Sequence, residues 1–390
     1  MFDIDNLCAI IYAGGPGKRL FPYSHPDCQK PYCHLGDNRS FIQRTVSRFL
    51  RVGIKPNRII TITSTQEQSQ LAKASLKSFG FSDDQFIEIP AEYGYAGTMV
   101  KAAEVVRDRF GETLIINSPS DQIIRSKTDS FVRAIGLAAQ SAQNGHPNII
   151  GIKTNDLATV MQCGNAHYLS EGDEYRIMDF TEKPDQKTAE SLILDDRTAC
   201  NTGINLWFPR QILEATKGVE LQSLTTDKLM SLLGNDLSLT IGDFEWHDCG
   251  TLKSLYDACP KTSLFRNVEL GGGKLSIVDC TGNLFYTVPG IRIKAKNIYD
   301  TAIVANQLRD KIFVAVVSLD QSHLVRELAD AYLKDPSQNA YFINTDHVSY
   351  SKTNETKNIQ FGFVGIDHFR TFASAKARGI EVDITPIGKY

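Results

Sequence analysis

Short apolar runs alternate with longer amphipathic stretches through the first part of the chain. "LCAIIYA" (7–13), "NRIITITS" (57–64), "QFIEIP" (85–90), "ETLIINSPSD" (112–121) and "NIIGIK" (148–153) read as strands. "SFIQRTVSRFLRVG" (40–53), "AGTMVKAAEVVRDRF" (96–110) and "SFVRAIGLAAQSA" (130–142) carry apolar residues at helical spacing. Gly53 is placed to end the first of these helices. Strands alternating with helices predict right-handed crossovers and a Rossmann-like α/β fold, a mixed and mostly parallel sheet flanked by helices. Ligands of such open sheets bind in the loops at the strands' carboxyl ends. The loops after Ala13 and Ser118 are therefore the informative ones. Near Pro260 the pattern changes. "GGGKLSIVDCTGNLFYTVPGIRIKAKNIYDTAIVANQLRDKIFVAVV" (271–317) is rich in Val, Ile and turn residues and predicts a smaller β-rich C-terminal domain. "SHLVRELADAYLKD" (322–335) reads as a helix. The end of the chain reads as strand, helix, strand over "IQFGFVGI", "HFRTFASAKARG" and "IEVDI". The expected domains are residues 1–262, 263–344 and an extension over 345–390.

Composition narrows the function classes. Of 390 residues, 42% are hydrophobic and 22% charged, the balance of an ordinary globular chain. A net charge of −3 disfavours a broad nucleic-acid-binding face but leaves room for a local basic pocket. The eight cysteines include no Cys-x-x-Cys pair, which argues against a zinc ribbon or thioredoxin-like motif and fits a reducing cytoplasm. The N-terminal apolar stretch is too short for a bilayer and no basic residue precedes it, so neither a signal peptide nor a membrane partner is expected.

The loop "YAGGPGKRLFPY" (12–23) asks for an anion. Gly14, Gly15 and Gly17 leave backbone amides open to form an anion nest, and Lys18 and Arg19 add positive charge. A guanidinium such as Arg19 grips phosphate oxygens in a bidentate way. The P-loop pattern fails, because Lys18 is followed by Arg19 rather than Ser or Thr. The dinucleotide fingerprint fails too, because Leu20 stands where a small residue belongs. That disfavours a Rossmann oxidoreductase. A tight strand-to-helix turn with solvated cations is the plain alternative. Lys30 follows closely enough to reach the same phosphates.

Gly-Gly-x-Gly-x-Arg-Leu followed by a Lys-containing segment and a helix resembles the sugar-1-phosphate nucleotidyltransferases, with the bacterial mannose-1-phosphate guanylyltransferases as the most similar branch. Further motifs follow in the family's order: "AEYGYAGTMVKAA" (91–103), "INSPSDQII" (116–124), "IMDFTEKPD" (177–185), "ACNTGINLWF" (199–208) and "FEWHDCGTLKSLYDA" (244–258). Each is moderately specific, and their common order carries the resemblance, which covers roughly Leu7 to Val317.

The resemblance implies a division of roles. Gly14, Gly15, Gly17 and Lys18 would receive the nucleotide's phosphates, and Gly94, Ala96 and Gly97 would line the base pocket. Arg19, Lys30 and Lys183 would be the catalytic cations, Lys183 holding the phosphate of the sugar 1-phosphate. Glu182, Asn201, Gly203 and Gly164 would hold the sugar. Asp121 and Asp248 would bind Mg²⁺, a cation that takes carboxylate oxygens and shares its shell with phosphates. The expected reaction joins a nucleoside triphosphate, GTP, to a sugar 1-phosphate, mannose 1-phosphate, and releases pyrophosphate. The β-rich part offers a surface for a homodimer.

The chain also departs from the family. Lys18 replaces a Ser or Thr, Gln29 a Pro and Gln122 a His. Cys28, Cys33 and His34 occupy a segment that is usually more apolar, and "MQCGNAHY" keeps only Gly164 of a longer motif. These departures leave two rivals: guanylyl, cytidylyl or uridylyl transfer to another sugar phosphate such as heptose or glucose 1-phosphate, or a non-catalytic relative that binds nucleotide-sugar and regulates an enzyme.

Overall fold

The computed structural model describes residues 6–319 apart from 16, 36–38, 127–128, 173, 297 and 309–310. It also describes residues 325–326, 329–330, 341–343, 361–362, 372–375 and 380–386. The chain forms two compact units, Met1–Gly14 with Ile42–Trp246, and Gly15–Phe41 with His247–Tyr390.

The first unit is built on a nine-stranded sheet. Its strands are β1 (Leu7–Tyr12), β2 (Ile59–Thr63), β3 (Phe86–Glu88), β4 (Leu114–Pro119), β6 (Asn148–Ile152), β7 (Gly164–Glu171), β8 (Glu174–Glu182), β9 (Thr198–Trp207) and β10 (Ser238–Ile241), with the short β5 (Gln122–Arg125) lying outside it. Their order is β3-β2-β1-β4-β9-β6-β10-β8-β7. β3, β2, β1 and β4 run parallel, as do β6 and β10. β9 runs antiparallel between β4 and β6, and the β7–β8 hairpin adds further antiparallel pairs. Every residue of β1, β2 and β6 is buried. Strands covered on both faces read as unbroken apolar runs, which is why the sequence marks them without alternation.

Helices α1 (Phe41–Val52), α2 (Gln66–Leu76), α3 (Gly94–Phe110) and α4 (Ser130–Gln143) connect these strands. In α1, Ile42, Val46 and Phe49 are buried, and Gly53 at φ 105° ends the helix as expected. In α3, Ala96, Met99, Val100, Ala103 and Val106 form one apolar stripe packed into the core that holds Ile60 and Ile115. The shorter α5 (Leu157–Gln162) and α6 (Gln186–Leu194) start at side-chain caps. Asp156 accepts from the Thr159 amide at 2.9 Å and Asp185 from the Thr188 amide at 2.8 Å.

The second unit holds two further sheets. After β11 (Glu245–Asp248) and helix α9 (Leu252–Ala258; α7, Pro209–Ala215, and α8, Thr226–Leu233, precede it), the chain alternates between them. β12 (Val268–Gly271), β14 (Leu284–Thr287) and β16 (Thr301–Leu308) stack in parallel, with Val268, Leu284 and Ala302 in register. β13 (Lys274–Val278) and β15 (Ile291–Lys296) stack in parallel in the other sheet. Phe285, Ile293, Ile303 and Val316 meet in the core between them. The arrangement is a short solenoid, in which each turn buries its apolar face only against the next.

A polar ladder sets the solenoid's corner. Asn267 and Asn283 are fully buried. Asn283 donates from its amide to Asn267 Oδ1 at 3.0 Å and from Nδ2 to the Ile298 carbonyl at 2.8 Å, and its Oδ1 accepts from the Thr301 amide at 2.9 Å. These side chains satisfy backbone groups that the turning chain would otherwise bury unpaired.

Residues 15–41 and 247–262 were expected within the first domain, yet they cluster with this solenoid unit. Asn306 Nδ2 donates to the Pro22 carbonyl at 2.8 Å. Tyr23 meets Tyr286 edge-on at 4.8 Å between ring centres, and Phe21 meets Phe313 at 5.7 Å.

β17 (Lys311–Ser318) returns antiparallel to β16, followed in that sheet by β18 (Tyr341–Ile343) and β19 (Phe361–Gly362). The helix expected over 322–335 lies mostly outside the described residues. The helix expected over "HFRTFASAKARG" is corrected: Phe372–Ala375 is a strand, β20. It pairs with β21 (Ile380–Pro386), which itself pairs antiparallel with β15 from Ile291 to Lys296. An available strand edge overrides the modest helix preference of the alanines.

Asn283→Leu is expected to lower the stability of the solenoid unit by about 2 kcal/mol, because it orphans the Thr301 amide and leaves the Ile298 carbonyl with only the Thr281 amide as donor. Urea unfolding monitored by circular dichroism measures this. A change within the roughly 0.5 kcal/mol typical of surface substitutions would contradict the ladder's role.

Candidate functional site

In the first unit the site grows from the carboxyl ends of β1 and β4. The Tyr12 hydroxyl donates to Asn117 Oδ1 at 2.6 Å, and the Ser120 amide donates to the Tyr12 carbonyl at 3.1 Å. The loop after β1 begins under restraint. Gln68 Nε2 donates to the Gly14 carbonyl at 2.8 Å, and Gln68 Oε1 accepts from the Ser64 amide at 2.8 Å. A Cβ on Gly14 would lie 2.6 Å from Ser64 Oγ, so a side chain there would have to push that hydroxyl aside.

Asp121 follows β4 on a turn anchored from both sides. Thr45 Oγ1 donates to the Ser120 carbonyl at 3.1 Å, Arg48 donates to the Gln122 carbonyl at 3.4 Å, and the Gln122 side chain donates to the Thr202 carbonyl. Gln122, one of the departures from the family, therefore ties the Asp121 turn to β9. Tyr95 belongs to the same neighbourhood. Its ring packs edge-on against Tyr12 at 5.2 Å, and desolvation, then the charges of Asp121 and Glu182, raise its phenol above the ordinary range. Sequence reasoning passed over Tyr95. Its place between Gly94 and Ala96, in a motif expected at the base pocket, was the available signal.

The expected base-pocket residues sit at the start of α3. Ala96 is buried, and a Cβ on Gly97 would lie 2.5 Å from the Leu221 carbonyl oxygen. Gly97 thus has a packing role whatever else it does.

The expected sugar-binding residues lie at the start of β7, the end of β8 and the middle of β9. Gly164 opens β7 directly opposite Glu182, and a Cβ there would lie 2.7 Å from Glu182 Oε2. Asn201 Oδ1 accepts from the Gly203 amide at 2.8 Å. This closes a bulge in β9, with Gly203 at φ 75° against Pro119. Lys183 has φ 47°, a left-handed conformation that a lysine adopts only when its surroundings enforce it. Its amide donates to the Cys163 carbonyl at 3.1 Å, and its amine pairs with Glu182 at 3.0 Å while remaining 65% exposed.

In the second unit Arg19 and Lys30 converge on one carboxylate. Gly17 at φ 67° packs so tightly that a Cβ would lie 2.6 Å from Lys30 Cβ and 2.5 Å from Ser24 Oγ. Lys30 is only 5% exposed, and its amine lies 3.4 Å from Asp248 Oδ1. A Cβ on Gly250 would lie 2.8 Å from an Arg19 terminal nitrogen and 3.4 Å from Asp248 Oδ2. Arg19, Lys30 and Asp248 therefore form one charged cluster with Gly17 and Gly250 as its close-packed floor. Gly250 lies in the motif over 244–258, and sequence reasoning missed that it seats the guanidinium. Gly15 has open space around it. Lys18 points its charge elsewhere, to Asp330 at 2.7 Å.

Among the described residues no three His, Cys, Asp or Glu side chains gather into a metal cage. A Mg²⁺ that travels with a nucleotide takes one or two carboxylates and fills its shell with phosphate oxygens and water, so Asp121 in the first unit and Asp248 in the second are each a kind of ligand it accepts. No helix among the described residues is long and apolar enough to cross a membrane.

Comparison with known proteins adds relatives. The chain is 25% identical over 288 residues to a mannose-1-phosphate guanylyltransferase of Klebsiella pneumoniae, covering 65% of this chain and 60% of that protein. It is 28% identical over 216 residues to a mannose-1-phosphate guanylyltransferase of Escherichia coli, covering 53% and 45%. It is 23% identical over 261 residues to the alginate biosynthesis protein AlgA of Pseudomonas aeruginosa, covering 66% and 52%. The chain thus spans less than two-thirds of each of these relatives. A crystal structure from Thermus thermophilus, described as mannose-1-phosphate geranyltransferase, superposes with a TM-score of 0.68 at 19% identity, over 84% of this chain and 99% of that one. A glucose-1-phosphate thymidylyltransferase structure from Bacillus anthracis, described as putative, superposes with a TM-score of 0.50 at 20% identity, over 65% and 93%. These likenesses establish the fold. Residues 8–263 match the Nucleotidyl transferase family, and the chain belongs to that family.

Proposed function

We propose that this protein transfers a nucleotidyl group from a nucleoside triphosphate, GTP, to a sugar 1-phosphate, mannose 1-phosphate, giving GDP-mannose and pyrophosphate. The observation that carries the reading is the cluster of Arg19, Lys30 and Asp248 on a glycine loop in a chain of this family. The relatives named for mannose 1-phosphate and for alginate biosynthesis support the choice of sugar and a role in supplying polysaccharide synthesis.

A phosphate oxygen of the sugar 1-phosphate attacks the α-phosphorus, and pyrophosphate leaves in line. The nucleophile is already an anion, so the protein's task is positioning and neutralising charge rather than moving protons. Arg19 and Lys30 take the triphosphate's negative charge, with the amides around Gly15 and Gly17 as further donors. Lys183 swings from Glu182 to the attacking phosphate. Glu182 and Asn201 take the sugar hydroxyls, and the start of α3 takes the base. Asp121 and Asp248 would hold Mg²⁺, which would supply charge neutralisation on the phosphates.

The test is pyrophosphate release by the purified protein with Mg²⁺, with the common nucleoside triphosphates crossed against mannose, glucose, fucose and heptose 1-phosphates. Turnover with GTP and mannose 1-phosphate is the expected result. Turnover with another pair keeps the reaction and changes the substrates. Nucleotide-sugar binding with no pyrophosphate release would instead identify a regulatory relative. Arg19→Ala and Asp248→Asn are each expected to lower kcat about 10²–10³-fold in protein that remains folded by circular dichroism. Near-normal turnover in either would remove that residue from the mechanism. Gly17→Ala is expected to lower activity as well, because its methyl group pushes on Lys30; unchanged kcat/KM in that variant would show that the Lys30 position is not critical.

A further inference from the structure

The cysteines that depart from the family flank Lys30, and the proposed function gives neither of them a task. Cys28 and Cys33 bring their sulfurs to 3.7 Å. A narrow turn holds Cys28, since the His25 amide donates to the Cys28 carbonyl at 3.0 Å and the Cys28 amide to the His25 carbonyl at 2.9 Å. Cys33 is fixed by its amide, which donates to the Lys30 carbonyl at 3.2 Å, and its thiol lies 3.4 Å from the Cys28 carbonyl. Between them the single turn Lys30–Tyr32 presents the buried lysine. We propose that Cys28 and Cys33 are a redox modification site, a thiol pair that closes to a reversible disulfide around Lys30 and slows the enzyme when it does.

The two thiols differ in the way exchange requires. Cys28 is half-buried and Cys33 is buried. The hydrogen bond between them outweighs desolvation at Cys28 and draws its thiol below the ordinary value. Burial first, and then that same bond, hold Cys33 well above it. Cys28 is therefore the attacking thiolate and Cys33 the resolving thiol. The oxidant is a low-molecular-weight disulfide such as glutathione disulfide. Cys28 Sγ attacks one of its sulfurs, forming a mixed disulfide and expelling a glutathione thiolate. Cys33 then gives up its proton and attacks Cys28 Sγ, expelling the second. One small disulfide is reduced to two thiols, and two protein thiols become one disulfide. The sulfurs must close from 3.7 Å to the covalent distance of about 2.0 Å, and the turn that carries Lys30 moves with them.

Lys30's part in this rests on the proposed function; the disulfide does not. The full-length chain is incubated in glutathione buffers of graded oxidation, alkylated, digested and mapped by mass spectrometry. A Cys28–Cys33 link that forms under oxidation, is reversed by dithiothreitol and is missing in Cys28→Ser is the expected result. Both thiols alkylated across the whole range would overturn the site. In parallel, kcat/KM for nucleotidyl transfer is expected to fall about tenfold or more in the oxidised wild type, as small displacements of a positioned group do, and to stay constant in oxidised Cys28→Ser. Equal activity of the linked and reduced wild type would overturn the control of Lys30. If the chain turns over no substrate pair, GTP affinity by calorimetry replaces kcat/KM, with the same expected fall and the same contrary result.

Discussion

A buried lysine amine beside a carboxylate is the constraint around which the second unit is arranged. Lys30 has lost nearly all its water, and taking an ammonium out of water costs several kcal/mol unless an anion faces it. Asp248 faces it at 3.4 Å, and the Arg19 guanidinium lies over Gly250 beside the same carboxylate. A triphosphate would bring further negative charge to these two cations. The glycines follow from this arrangement: at Gly17 and Gly250 a methyl group would occupy the space the two cations need.

The cluster depends in turn on distant chain. The loop after β1 changes allegiance between Gly14 and Gly15, its start tied to Gln68 in the first unit and its continuation packed in the second. Phe21, Pro22 and Tyr23 lean on Phe313, Asn306 and Tyr286 of the solenoid. The solenoid is in this sense a bracket for the glycine loop. Its buried asparagine ladder stiffens the bracket, because each rung satisfies polar groups of the next.

Much of this was legible in the sequence, for stated physical reasons. The strands β1, β2 and β6 announce themselves because strands buried on both faces must be apolar throughout. The glycine loop is legible because bare backbone and adjacent cations have few other uses. What is non-local is not written in any short stretch. Nothing near Phe21 or Tyr23 indicates that their partners lie some hundreds of residues on. The antiparallel half of the sheet, where β9 separates β4 from β6, arises from a long return of the chain. Local preference misled at Phe372–Ala375, where alanines that suit a helix were recruited to a strand edge. Tyr95 was missed because its packing on Tyr12, and the neighbourhood of Asp121 and Glu182, exist only in the fold.

The central claim is that the chain joins the α-phosphate of a nucleotide to a sugar phosphate, and isotope position tests it most directly. GTP labelled at the α-phosphate, and separately at the γ-phosphate, is supplied with mannose 1-phosphate and Mg²⁺, and the products are separated. The account predicts α label in nucleotide-sugar and γ label in pyrophosphate, in equal amounts. Label released as inorganic phosphate, or α label in free guanosine nucleotides with none joined to sugar, would contradict it.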